Sequence, residues 1–154
     1  MTHEDLRKRA VKWLTNSVGC SVVLSEMVSA NTEIPDAIGW KYGASTLVEC
    51  KTSRSDFFRD ADKCFVRSGH CMGNYRYFLV PHDLISEWDL VTAERFGYGL
   101  LYAGEKRIQI IKEAERLDNY QTGEIAMLTS ALRRVRTREF LTIVTECPDE
   151  TLAS

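Results

Sequence analysis

The sequence predicts an α/β domain in which a mixed central sheet is flanked by helices, in the order helix, three strands, helix, strand, hairpin, helix. Three observations carry that prediction. Apolar residues recur at helical spacing near both ends of the chain, short β-branched and aromatic runs fill the middle, and links containing Gly or Pro separate the runs.

Taken in order, Leu6, Ala10, Trp13 and Leu14 fall at offsets of 0, 4, 7 and 8, one face of a helix from Glu4 to about Ser17. Thr2 and Asp5 have capping-box spacing in front of it. Three β-rich stretches follow at Cys20 to Val28, Ile34 to Trp40 and Ser45 to Cys50, and the short Lys41-Tyr42-Gly43 link makes the last two an antiparallel hairpin. Ser53, with Asp56 three residues on, offers an N-cap for a helix to about Arg67, which Gly69 would stop. Tyr75 to Val80 reads as a strand closed by Pro81, followed by a short helical or irregular segment around Leu84 to Trp88. Tyr98 to Ala103 and Arg107 to Lys112 form a second hairpin around Gly104-Glu105-Lys106. A last helix is predicted over Glu124 to Arg136, with Ile125, Leu128 and Leu132 on its buried face.

A chain of 154 residues, 44% hydrophobic and 27% charged, predicts one compact domain over residues 1–146 and a flexible tail over 147–154. At that length roughly 70% of the unfolded chain's surface is buried on folding, so no disulfide or structural metal is required. The five cysteines are odd in number and irregularly spaced, and no apolar leader precedes His3-Glu4-Asp5; cytoplasmic, reduced thiols are expected. No stretch is long and apolar enough for a membrane span. A net charge of -2 excludes binding of nucleic acid through bulk positive charge, but not an enzyme acting on it. From Lys51 to Arg76 six basic residues face three acidic ones, and Arg133, Arg134, Arg136 and Arg138 form a second basic group.

The stretch that carries chemistry is Pro35-Asp36, followed thirteen residues after the aspartate by Glu49-Cys50-Lys51. Glu49 and Lys51 lie two apart in a strand and so share a face of the sheet. Asp36 lies in the partner strand, so the two carboxylates can converge at one sheet end. With the backbone carbonyl of Cys50 they would suit a hard cation such as Mg2+ or Mn2+. Glu26, on the face of Val22 and Leu24 in the preceding strand, is expected as a further ligand. Phosphodiester hydrolysis needs these parts: a cation against charge building on the phosphate, an activated water, and a positive group such as the Lys51 ammonium beside them. A surface hairpin carrying an ordinary salt bridge is the competing reading of the same residues.

Pro35-Asp36 with Glu49-Cys50-Lys51, set between helices and strands in this order, resembles the PD-(D/E)XK nuclease superfamily. Its restriction-endonuclease-like core, α-β-β-β-α-β, would cover roughly residues 4 to 80, with the second hairpin and last helix added. The stretch Lys51-Thr52-Ser53-Arg54-Ser55-Asp56-Phe57, the segment Met72 to Pro81 and Gly97 to Tyr102 look like small bacterial and phage members similar to MmcB-like DNA repair proteins. The helix after the lysine lacks the glutamine and tyrosine pair of the recombination-nuclease branch. The resemblance implies a DNA-hydrolysing enzyme of phage or bacterial DNA processing or repair, with Asp36, Glu49 and Lys51 catalytic and DNA, not RNA, as partner. No organic cofactor is expected. Because one such site cuts one strand, a homodimer or larger nucleoprotein assembly is an open expectation. A catalytically inactive binding module with the same fold, or a subunit active only in a complex, is the alternative.

Ser53, Arg54, Lys63 and Arg67 are candidates to follow a phosphate backbone, together with Arg76. Ser53 could instead cap its helix, and Arg76 could pair with a carboxylate. Cys64, His70 and Cys71 fit no standard zinc spacing. Trp13, Trp40 and Trp88 read as core or sheet-cover residues.

Overall fold

The computed structural model describes residues 1–60, 69–84, 94 and 96–135. The predicted mixed α/β fold is present: one six-stranded sheet lies between helices, with strand order β1-β2-β3-β4-β5-β6. Helix α1, His3–Trp13, starts at the Thr2/Asp5 capping box and widens into a π-helical turn, Leu14–Val18, that ends where Gly19 takes a φ of 79°. The strands are β1 Val22–Leu24, β2 Ala37–Lys41, β3 Ala44–Cys50, β4 Tyr75–Pro81, β5 Gly99–Ala103 and β6 Ile108–Lys112. Helix α2, Arg54–Asp60, follows β3, and helix α3, Gln121–Arg134, closes the described chain. Among the described residues no helix is long and apolar enough to cross a membrane.

Strands β1, β2 and β3 form an antiparallel meander; β3, β4 and β5 are parallel, and β6 returns antiparallel to β5. The β2–β3 link is tighter than the sequence suggests. Lys41 pairs with Ala44, and Tyr42 and Gly43 both have positive φ, 50° and 76°, the two-residue turn whose twist matches that of the strands.

Two predicted strands are shorter than expected. The first stops at Leu24 because Glu26 has a φ of 48° and turns the chain out of the sheet. The second starts at Ala37, after Pro35, whose nitrogen has no hydrogen to give a ladder; only its carbonyl accepts, from the Glu26 N–H at 3.2 Å.

Alternation along the strands divides the core into two layers. On one face Val48, Cys50, Tyr77, Leu79 and Leu101 meet Leu6, Ala10 and Trp13 of α1 and Leu14 of the π-helical turn. Each fully buried leucine there contributes about 1.5–3 kcal/mol. On the other face Phe78, Val80, Tyr98 and Leu100 pack around Phe57 of α2, and Ile38, Leu47 and Met72 pack around Met127 of α3.

The buried side of α3 differs from the predicted one. Gly123, Glu124 and Met127 face inward, while Ile125 and Leu132 are exposed. The helix is turned by Glu124, whose carboxylate accepts hydrogen bonds from Trp40 Nε1 (2.9 Å), Ser45 Oγ (2.7 Å) and the Gly73 N–H (2.8 Å).

Candidate active site

Because β2 is antiparallel and β4 and β5 are parallel to β3, the start of β2 and the C-terminal ends of β3, β4 and β5 lie at one end of the sheet. Asp36 stands there, just before β2. The pairing of Ala37 with Val48 sets it beside the end of β3, and its Oδ2 accepts the Cys50 N–H at 2.7 Å. Glu49 and Lys51 project from the same strand end onto the face opposite α1. Both are buried, and Lys51 Nζ lies 3.8 Å from Glu49 Oε2. Lys51 continues the parallel ladder, its N–H donating to the Leu79 carbonyl at 2.9 Å.

Burial, and then the negative charge of Asp36, push the Glu49 carboxyl up to about 7, although Lys51 and Arg76 pull the other way. Two carboxylates thus stand at one end of the sheet and repel each other, each with a basic side chain beside it, Lys51 at Glu49 and His3 at Asp36. The donors on offer are hard oxygens, and an added divalent cation would relieve the repulsion between them; the chemistry of the set fits Mg2+ or Mn2+. The thiol of Cys50 is turned into the α1 core, where burial pushes its pKa up, so only its backbone carbonyl could serve as a ligand.

Glu26 is not in a strand, as expected, but in the loop after β1, and its side chain is half exposed. It nevertheless comes near the site, because ligand atoms of His3, Glu26 and Asp36 all lie within 4.8 Å of one another. His3, at the first turn of α1, has Nε2 3.2 Å from Asp36 Oδ1. Arg7 of the same helix holds Glu26 at 3.3 Å and also pairs with Glu4. Nothing in the spacing of the sequence singles out His3, since its approach depends on where α1 docks.

The expected phosphate contacts fare differently. Ser53 caps α2: its hydroxyl accepts the Asp56 N–H and donates to the Asp56 carboxylate at 2.8 Å. Arg54 is exposed at the start of that helix. Lys63 and Arg67 lie outside the described residues, as do Cys64, Trp88, Arg136 and Arg138. Arg76 cannot serve as an exposed phosphate contact. It is buried and bound to Glu33 at 2.6 Å, a partner that sequence spacing does not reveal.

The sequence matches no protein-family model and no curated protein. A solved structure, that of a protein of unknown function from Silicibacter pomeroyi, superposes with a TM-score of 0.62 at 24% identity, over 85% of this chain and 86% of that one. At that identity the likeness shows a shared fold.

Proposed function

We propose that this protein is a divalent-metal-dependent nuclease that hydrolyses DNA phosphodiester bonds. The reading rests on one observation: Asp36, Glu49 and Lys51 meet at one sheet end, with Asp36 fixed by the Cys50 N–H and Lys51 3.8 Å from Glu49. Asp36, Glu49 and the Cys50 carbonyl would hold Mg2+ or Mn2+, with Glu26 as an outer ligand. When bound, the ion supplies charge neutralisation at the phosphate and an acidified water. The chain's own contribution is orientation. The Cys50 N–H keeps the Asp36 carboxylate pointing at the strand end, and the buried Lys51 ammonium, set among low-dielectric neighbours, would orient the attacking water or stabilise charge on the phosphate.

The test is a panel of labelled DNA and RNA structures incubated with Mg2+ or Mn2+. Cleavage of some DNA substrate, abolished by Lys51→Ala and by Asp36→Ala in folded protein, supports the reading. Absence of metal binding, with neither substitution altering any nucleic-acid activity, removes it.

A second reading is a non-catalytic binding module. It is favoured by His3 and Lys51, which already stand against Asp36 and Glu49 at 3.2 and 3.8 Å. Metal titration separates the two. Intact metal binding without cleavage by the isolated chain would point instead to a subunit that cuts only inside an assembly, DNA processing or repair being the setting the resemblance implies.

A further inference from the structure

On the α1 face of the sheet, away from Glu49 and Lys51, a cleft of about 400 Å³ separates the second half of α1 from the β5–β6 turn. Arg9 and Lys12 line one wall, Lys106 and Arg107 the other, and Trp13 lies between them; Glu105 is the one carboxylate in the lining. The two walls come from segments more than ninety residues apart in sequence, so no local charge run accounts for the grouping. The pairing pattern of α1 is also uneven. Arg7 and Lys8 are held by Glu4, whereas none of the four cleft cations forms an ion pair with a carboxylate among the described residues.

Like charges held around one concavity repel, and in a chain of net charge -2 there are carboxylates enough to have paired them. The fold instead keeps four cations in a row of two facing walls, an arrangement that gains most from a ligand with charge repeated along its length. The position of the cleft suggests which one. Ala103, from which the β5–β6 turn departs, is level with Pro81, and Lys51 is bonded to Leu79, so the turn leaves the sheet at the end where Asp36, Glu49 and Lys51 stand. Helix α1 links the two places, with His3 at Asp36 and Arg9 to Trp13 in the cleft.

We infer that this cleft is an electrostatic seat for the phosphate backbone of nucleic acid, holding strand that runs past the sheet end on the side opposite the candidate catalytic face. The choice of nucleic acid over another polyanion rests on the nuclease reading; the existence of a polyanion seat does not.

The experiment is equilibrium binding of a fluorescent DNA duplex and of its single strand, in EDTA, across a salt series. Lys106→Ala/Arg107→Ala and Arg9→Ala/Lys12→Ala are each expected to weaken binding of the better probe at least tenfold at low salt. Each should also reduce the slope of log K against log salt by about 1.4 to 1.8, since each phosphate contact contributes roughly 0.7 to 0.9. Lys8→Ala, an exposed cation on the same helix but off the cleft, should change the slope by less than about half a unit, and thermal unfolding should show all variants folded. Affinity within twofold of wild type and an unchanged slope for both pairs overturns the inference. So does failure of both DNA probes to bind, including the case in which polyglutamate is retained through the same four residues and the partner is an acidic protein. Groove-dependent binding with neither metal binding nor cleavage of any substrate sinks the nuclease reading and leaves the seat standing; Lys51-dependent cleavage with unaffected groove variants does the reverse.

Discussion

Glu33 and Arg76, forty-three residues apart, form a buried ion pair of 2.6 Å with side chains only 2% and 5% exposed. Glu33 uses its second oxygen to accept the Met72 N–H at 2.8 Å, and the guanidinium lies 5.1 Å over the Tyr98 ring. Burial is the largest single influence and lowers the arginine's pKa, but the charge and hydrogen bond of Glu33 together with Tyr98 and Glu49 outweigh it, and the group is held more firmly protonated than usual. Arg76 also lowers the pKa of Glu49, so the pair forms the charged floor on which the candidate site stands.

Removing one partner of such a pair leaves the other charge buried without compensation. Glu33→Ala is expected to lower unfolding free energy by about 3–5 kcal/mol, measured by urea denaturation. Replacing both residues, as in Glu33→Gln/Arg76→Met, should recover a substantial part of that loss. A Glu33→Ala cost below about 1 kcal/mol would mean that the pair is not buried as described.

Glu49 makes stability depend on pH in a defined direction. Its folded-state pKa, about 7, lies above the ordinary 4.5, so the folded chain keeps this proton longer than the unfolded one. The contribution is fully present below about pH 4.5 and is lost as pH rises through 7. At 1.36 kcal/mol per pKa unit the change is at most about 3 kcal/mol. Thermal unfolding in metal-free buffer should therefore show a fall in Tm from pH 5 to pH 8 that Glu49→Gln flattens. Mg2+ or Mn2+ should raise the wild-type Tm more at pH 8 than at pH 5, because the proton and the cation compete for the same oxygens.

Lys51 tests the chemistry. Its ammonium is buried beside Glu49, so Lys51→Met removes the charge while keeping the stem's packing. If the nuclease reading holds, kcat on the best DNA substrate should fall by about 10²–10³, the scale on which a positioned transition-state group acts. Affinity for that DNA in EDTA should stay within about threefold. Loss of binding in proportion to loss of rate would make Lys51 a binding residue instead.

Much of this architecture was legible in the sequence because it follows from period and turn chemistry. The α1 stripe, both hairpins and the approach of Asp36 to the end of β3 need only local alternation and a short link. What was not legible depends on how elements dock. His3 reaches Asp36 only because α1 lies across the start of β2, and the cleft cations come together only because the β5–β6 turn passes that helix. Glu33 sits in an irregular loop, where no periodicity marks a buried residue. Arg76 does pair with a carboxylate, one of the two readings open to it, but neither its burial level with Leu47 nor the identity of its partner follows from the sequence. The start of α3 was missed because Tyr120 provides no side-chain cap; the incoming chain is tied instead by backbone bonds from Leu117 to Asn74 and from Tyr120 to Cys71.

The orientation of α3 shows why an apolar stripe can mislead, and mutation checks it. Reading hydrophobic positions alone puts Ile125 and Leu132 inside, yet they are 63% and 54% exposed, and Glu124 is buried in their stead. The carboxylate accepts from Trp40, Ser45 and Gly73, three donors on three segments; Ser45 Oγ also has Asn74 Oδ1 at 3.3 Å, so the loss of the carboxylate falls mainly on the Gly73 N–H and the half-buried Trp40 indole. Each orphaned donor costs roughly 1–3 kcal/mol, so Glu124→Ala is expected to destabilise by about 3–5 kcal/mol in urea unfolding. Glu124→Gln keeps one acceptor oxygen but turns an NH2 group toward a donor, and should cost less, about 1–3 kcal/mol. Ile125→Ser and Leu132→Ser should each fall within about 0.5 kcal/mol of wild type, as exposed substitutions do. A large loss from the two serine variants together with a small one from Glu124→Ala would mean that α3 packs through its apolar stripe after all.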